Sequence, residues 1–350
     1  MNMLRRISVS CAVWVMLMIS VAAKPPALTN FKCGYNNICF VNAVLQNVFN
    51  IVELNNDLLM VPESNQNELT KAYLAMYREA MSNPPDPFLP KKFLDAAQKY
   101  VNKVIGTGMA SGQVFYSRLL YDAPQSLLAI GSSLYDKWSG IVCAEYSGGT
   151  REKVSFLHEI FPDIVGSYMK NLATLQNVNL KTLLNFSDPR HKNEVRRPIV
   201  LKNSHYVIFD TELFRQNFSM NAQIQALGNT DLSIQIPKRM PLAVESALGT
   251  IHDQEFELIG MLIHRGMHFV AYIADQYDSA PQKPWYFCND LASLKVNLEP
   301  KMFDSSDNVA QGLEFEPDKH AMLLFYKRVG FNPFPLVHLY NLDRDLRAIV

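Results

Sequence analysis

Gly34-Tyr-Asn-Asn-Ile-Cys-Phe-Val-Asn-Ala-Val-Leu-Gln46 is where a polar turn becomes an apolar run of helical period. Val41, Val44, Leu45, Val48 and Val52 recur three and four residues apart, which predicts a helix over 39–53 with one apolar face. Asn36 and Asn37 just ahead are turn and N-cap residue types. Cys39 thus falls in the first helical turn, where the positive end of the helix dipole favours thiolate over thiol. A nucleophilic cysteine uses that environment. A cysteine packed as a small apolar side chain has no need of it, and lone cysteines are more often of that kind. The choice depends on the rest of the chain.

Downstream, residues 67–82 (NELTKAYLAMYREAMS) and 91–104 (KKFLDAAQKYVNKV) have helical period, separated by Pro84, Pro85 and Pro87. Residues 114–136 read as a further helix. From about 138 the character changes. Trp138 to Ala144, Lys153 to Phe156, 197–210 and 231–236 read as strands. Glu255 to Ile263, Met267 to Ala274, Pro284 to Cys288 and Ala321 to Lys327 are short β runs whose spacing predicts an antiparallel meander. The expected class is α+β, with a helical N-terminal half against a C-terminal sheet.

The chain has 350 residues, 48% hydrophobic and 19% charged, with a formal net charge of zero. It is long enough to bury one large core or two medium ones. No basic face or block of like charge is present, which disfavours a nucleic-acid partner. Arg5 and Arg6 precede Ile7 to Ala23, an uncharged run ending in Val21-Ala22-Ala23. That pattern reads as a signal peptide. As a helix the run is roughly 26 Å long, at the short edge of what spans a bilayer, so an uncleaved membrane anchor through residues 7–23 is the alternative. The first places the protein in the secretory pathway. The second is a membrane-anchored chain whose remainder faces the cytosol. Beyond Cys11 in the leader, only Cys33, Cys39, Cys143 and Cys288 remain, far below a disulfide scaffold. Asn185 and Asn217 open Asn-x-Ser sequons that matter only in a secreted chain.

A thiol hydrolase needs an imidazole to take and return a proton, and a polar group to orient that ring. His268 in Leu258-Ile-Gly-Met-Leu-Ile-His-Arg-Gly-Met-His-Phe-Val-Ala-Tyr-Ile273 supplies the first, and Asn289-Asp290 the second. They lie far from Cys39 in sequence, as such partners commonly do. His264 and His268 are four apart, but on a strand rather than a helix, and the Glu of a zinc-protease motif is absent. Cys143 alone cannot make a four-ligand zinc site. No metal or other cofactor is expected, and there is no Gly-rich phosphate loop.

Four segments together resemble the ubiquitin-specific proteases, the papain-like cysteine deubiquitinases. Asn37-Ile-Cys-Phe-Val-Asn-Ala-Val-Leu-Gln46 is similar to that family's Cys box. Phe256 to Gly266, Met267 to Tyr272 and Trp285 to Asp290 are similar to its His box, and Ala321 to Arg328 to its final strand. The resemblance spans about 31–328. It implies a papain-like fold with a helical thumb (about 31–137) and a β-sheet palm and fingers (about 138–328), leaving 329–350 as a tail. It implies thiol-dependent hydrolysis at the C-terminus of ubiquitin or a ubiquitin-like protein, with conjugates of these as partners. Cys39 would be the nucleophile, His268 the general base and acid, and Asn289, with Asp290 beside it, the orienting member. Gln46, His264, Gly266 and Trp285 would border the substrate channel. Where the family places an oxyanion-donating Asn, this chain has Gly34, which leaves Asn36, Asn37 and the Cys39 N–H as candidate donors. Losing one such donor costs about 2.7–4 kcal/mol of barrier. Met267 replaces a Gly before the histidine. These departures make a weak enzyme, or a pseudoenzyme that binds ubiquitin, the alternative reading.

Overall fold

The computed structural model describes residues 38–81, 91–100, 142–149, 151–154, 157–159, 177–180, 187–188, 194–200, 204–211, 233–246, 248–266, 268–276, 285–289, 296–298 and 316–330. A few single positions and short pieces, among them Leu28, Phe115, Leu119, Leu120, 126–129, Trp138 and Lys283, complete the set. The leader, Gly34, Asn36, Asn37, Met267, Asp290 and residues 331–350 of the C-terminal tail lie outside it. No helix among the described residues is long and apolar enough to cross a membrane.

The first helix, α1 (Cys39–Phe49), begins where the apolar period predicts, but stops short of 53. A second helix, α2 (Val52–Met60), follows after Asn50 and Ile51. Asn55 explains the break. Its Nδ2 donates to the carbonyls of Val48, Phe49 and Ile51 at 3.0, 3.0 and 2.9 Å, serving groups that the end of a helix leaves without partners. The helix start also differs from expectation. Ile38, not Asn37, is the N-cap, and no side chain caps α1.

Next come α3 (Glu68–Met81) and α4 (Lys91–Tyr100). Asn67 starts α3 by accepting from the Thr70 N–H at 2.8 Å. Tyr73, buried on α3, meets Phe49 of α1 and Phe93 of α4 at centroid distances of 5.8 and 6.1 Å. Aromatic packing of this kind locks the helices into one layer. The helix expected over 114–136 does not run through. Residues 126–129 form a turn, and Leu127 and Leu128 bond back to the carbonyls of Leu119 and Leu120. Pro124, with no N–H to donate, interrupts the helical pattern there.

The strands in chain order are β1 (Val142–Tyr146), β2 (Arg151–Val154), β3 (Leu157–Glu159), β4 (Asn177–Asn179), β5 (Ser187–Asp188), β6 (Glu194–Val200) and β7 (Tyr206–Asp210). They continue with β8 (Ser233–Gln235), β9 (Arg239–Glu245), β10 (Ile251–Arg265), β11 (His268–Ala274), β12 (Trp285–Cys288) and β13 (Val296–Leu298). A short helix, α5 (Pro317–His320), precedes the last described strand, β14 (Ala321–Arg328). Among the described residues the main sheet follows the order β13-β12-β11-β10-β9-β6-β1-β2. Of the expected meander, β10, β11 and β12 are consecutive antiparallel neighbours, whereas β14 returns to pair with β10. The stretch 197–210, read as strand from the sequence, divides into β6 beside β1 and β7 beside β14.

β10 organises the sheet. Its first half pairs with β9 (Ile251↔Glu245 to Glu257↔Arg239), and its second half with β11 (Gly260↔Ile273 to Arg265↔His268). Phe256 pairs with both Met240 and Arg328, and Met261 with both Tyr272 and Leu324. Hence β9 and β11 share one edge of β10, and β14 takes the other. α1 lies across β11 and is buried at every residue. It is a helix enclosed by protein, apolar beyond a single stripe.

Candidate active site

Cys39 is the first residue of α1 and is 8% exposed. It carries a thiol rather than a disulfide. Phe40, the next residue, meets Phe269 edge-on at 6.3 Å between centroids. Phe269 in turn follows His268, the first residue of β11. The start of the cysteine helix is therefore packed against the start of the histidine strand.

His268 stands at the end of a two-residue hairpin. Arg265 pairs with His268, and Gly266 is a turn residue between them. Gly266 has φ 62°, the left-handed conformation that such a turn requires of its first central residue. Across the sheet Ala271 pairs with Cys288. Continuing that register sets Asn289 diagonally opposite His268, on the same face. The side chains meet: His268 Nε2 lies 2.9 Å from Asn289 Oδ1. Because the Asn oxygen can only accept, Nε2 carries the proton, and Nδ1 is left as the basic nitrogen. Both residues are half-buried, which strengthens the bond relative to water.

His264 is half-buried and stacks on Phe269, with centroids 4.0 Å apart and an interplanar angle of 6°. Burial holds its imidazole below the ordinary value of 6.5, a hydrogen bond with the Gly266 backbone opposes this, and nearby His268 adds to the lowering. Gly266 is an exposed turn residue. Gln46 and Trp285, which the resemblance would place at a channel border, are buried, at 2% and 6% exposure. Gln46 belongs to the fully enclosed helix α1. Trp285 is held within the sheet between Ala274 and Leu298. Asn36, Asn37 and Asp290 lie outside the described residues. Among the described residues no three His, Cys, Asp or Glu side chains converge as metal ligands.

Sequence reasoning missed two asparagines. Asn47 and Asn50, one helical turn apart, are each 2% exposed and donate to strand carbonyls. Two signals were available: amides on an apolar helix face, and Gly260 within a strand, which often marks a close backbone approach.

A cysteine opening a helix that packs on a histidine strand, with the histidine bonded to an asparagine, is the frame of a papain-like cysteine hydrolase. The ubiquitin carboxyl-terminal hydrolase family model matches residues 29–326, and the chain belongs to that family. Among solved structures, "an essential yeast splicing factor" is similar at 12% identity and TM-score 0.57, covering 87% of this chain and 70% of that one. A yeast SAGA DUBm structure is similar at 14% identity and TM-score 0.50, covering 89% and 71%. At these identities the likeness is one of fold alone. No curated protein sequence matches the chain.

Proposed function

We propose that the protein is a thiol-dependent hydrolase acting at the C-terminal carbonyl of ubiquitin or a ubiquitin-like protein. Membership of the ubiquitin carboxyl-terminal hydrolase family supports a deubiquitinase-type function in general. The observation that carries the finer reading is the 2.9 Å contact between His268 Nε2 and Asn289 Oδ1, on a strand packed against the helix that Cys39 opens. With Nε2–H held by Asn289, Nδ1 takes the proton of Cys39 Sγ. The thiolate attacks the carbonyl carbon, and the imidazolium returns the proton to the departing amine. Water, deprotonated by the same ring, then cleaves the thioester and releases a carboxylate and the thiol. The Cys39 N–H is the oxyanion donor at hand.

Hydrolysis of a fluorogenic ubiquitin C-terminal amide by the full chain under reducing conditions tests this. Turnover that vanishes in Cys39→Ala, and falls by about 10²–10⁴ in His268→Ala, is the expected result. Turnover that survives Cys39→Ala contradicts it. Gly34, in the place of the family's oxyanion Asn, favours a second reading, in which the protein binds ubiquitin without cutting it. Saturable ubiquitin binding with no turnover in the wild-type chain would select that reading.

A further inference from the structure

We propose that Asn50, with Asn47 one turn before it, is a positioning residue that sets the register of α1 on the sheet and so the approach of Cys39 to His268. The proposal rests on the reading of Cys39 as the nucleophile. Its starting point is a gap on one edge of β10. Pairing with β9 ends at Glu257, and pairing with β11 begins at Gly260. The Leu258 N–H is taken by the Lys238 carbonyl at 2.8 Å. The Ile259 carbonyl accepts from Asn50 Nδ2 at 3.0 Å. The same amide nitrogen donates to the carbonyl of Ala274, the last residue of β11, at 2.8 Å. Asn50 Oδ1 accepts from the Gln276 N–H at 3.0 Å. One buried amide thus joins the end of α1 to β10, to the end of β11 and to the segment beyond it.

Asn47 adds a second point of contact. Its Nδ2 donates to the Met261 carbonyl at 3.2 Å and to Ala43 of its own helix at 3.0 Å. Gly260 lets the helix come this close, since a Cβ there would overlap Asn47 Oδ1. The geometry follows from these contacts. α1 and β11 run side by side in the same direction, in contact at both ends. Phe40 meets Phe269 at the end that carries Cys39 and His268, and Asn50 bonds Ala274 at the other. Asn50 lies 11 residues after Cys39, roughly 16 Å along the helix axis. A helix released at that end tilts, and the tilt moves Sγ relative to His268. A misplacement of about 1 Å costs on the order of 10²-fold in rate.

The test uses the full-length protein and Asn50→Asp, which removes both donated bonds and keeps the acceptor for Gln276. Three quantities are compared with wild type: kcat and KM on the fluorogenic ubiquitin amide, the pH dependence of Cys39 alkylation by iodoacetamide read on the Cys39 peptide by mass spectrometry, and Tm. The expected result is a kcat lower by on the order of 10²-fold, KM little changed, and an alkylation profile displaced to higher pH as the thiolate loses its imidazolium partner. A lower Tm with kcat per folded molecule and alkylation profile unchanged would show a purely structural role and overturn the proposal. Asn55→Ala serves as the stability control, because its lost bonds lie within the helical layer. If it displaced the profile as far as Asn50→Asp does, the special place of Asn50 would be refuted. A wild-type chain with no turnover and an ordinary Cys39 profile would instead sink the nucleophile reading itself, and the positioning role with it.

Discussion

His264 and His268 lie at one end of the same hairpin, yet their surroundings set them apart. His268 is bonded to Asn289, whereas His264 is pressed flat on Phe269 and favoured in its neutral form by burial. In the proposed mechanism, a neutral His264 leaves His268 as the ring that cycles protons. The consequence for stability has a definite sign. The His264 pKa is lowered by folding, so the unfolded chain binds the extra proton first as pH falls. Its contribution is fully present above the ordinary value of 6.5 and is lost as pH drops from there through the folded value. His264→Phe should therefore flatten the fall in unfolding free energy below pH 6.5, measured by denaturant titration across that range. A slope equal to wild type would contradict the assignment. At this scale the place of Cys39 at a helix start and of His268 on a strand was legible, because each sits in a segment with its own local period. Asn47 and Asn50 were not. An Asn in a helical pattern reads as a cap or a solvated residue, and only the enclosed position of α1 shows otherwise.

Between elements, backbone groups matter more than periodicity. The apolar spacing that predicts a helix over 39–53 continues across the break at Asn50 and Ile51, so period alone could not reveal it. The break comes from Asn55, buried and held by the Tyr73 hydroxyl at 2.5 Å, which collects the carbonyls of Val48, Phe49 and Ile51. β9 escaped sequence reading for a comparable reason. Pro241 argues against a strand, but it lies at the end of the ladder towards Arg239, near where β9 ceases to pair with β10. The junction of α1 with β10 yields a sharp prediction. Gly260→Ala forces a Cβ into Asn47 Oδ1, and that side chain cannot retreat without giving up the bonds its Nδ2 donates to the Met261 and Ala43 carbonyls. Overpacking of this kind should cost about 1–3 kcal/mol of stability, read from the chemical denaturation midpoint. A Gly260→Ala protein as stable as wild type would show that the approach is looser than described.

Among the described residues, a partly buried polar chain ties the helical layer to the last strand. Asn50 accepts from the Gln276 N–H, Gln276 Oε1 accepts from Lys327 Nζ at 3.3 Å, and Lys327 pairs with Glu53 at 2.6 Å. Tyr206 also donates to Glu53, and burial, reinforced by that carboxylate, keeps the phenol protonated. Asn50, at the end of α1, and residues from α2, β7 and β14 thus converge although they are as much as 277 positions apart, from Asn50 to Lys327. The α+β class and the meander were legible because strand period and turn residues are local. The double partnership along one edge of β10, and the insertion of β14 on the other, were not, since long-range pairing leaves no mark on local spacing. All of this structure brings the start of α1 to the start of β11. The most direct measurement of that claim is reaction of the full chain with a ubiquitin probe bearing a C-terminal electrophile, followed by mass spectrometry of the adduct. A single adduct on Cys39, lost in Cys39→Ala and slowed in Asn289→Ala, is the predicted result. No adduct, or an adduct on another residue, would contradict it.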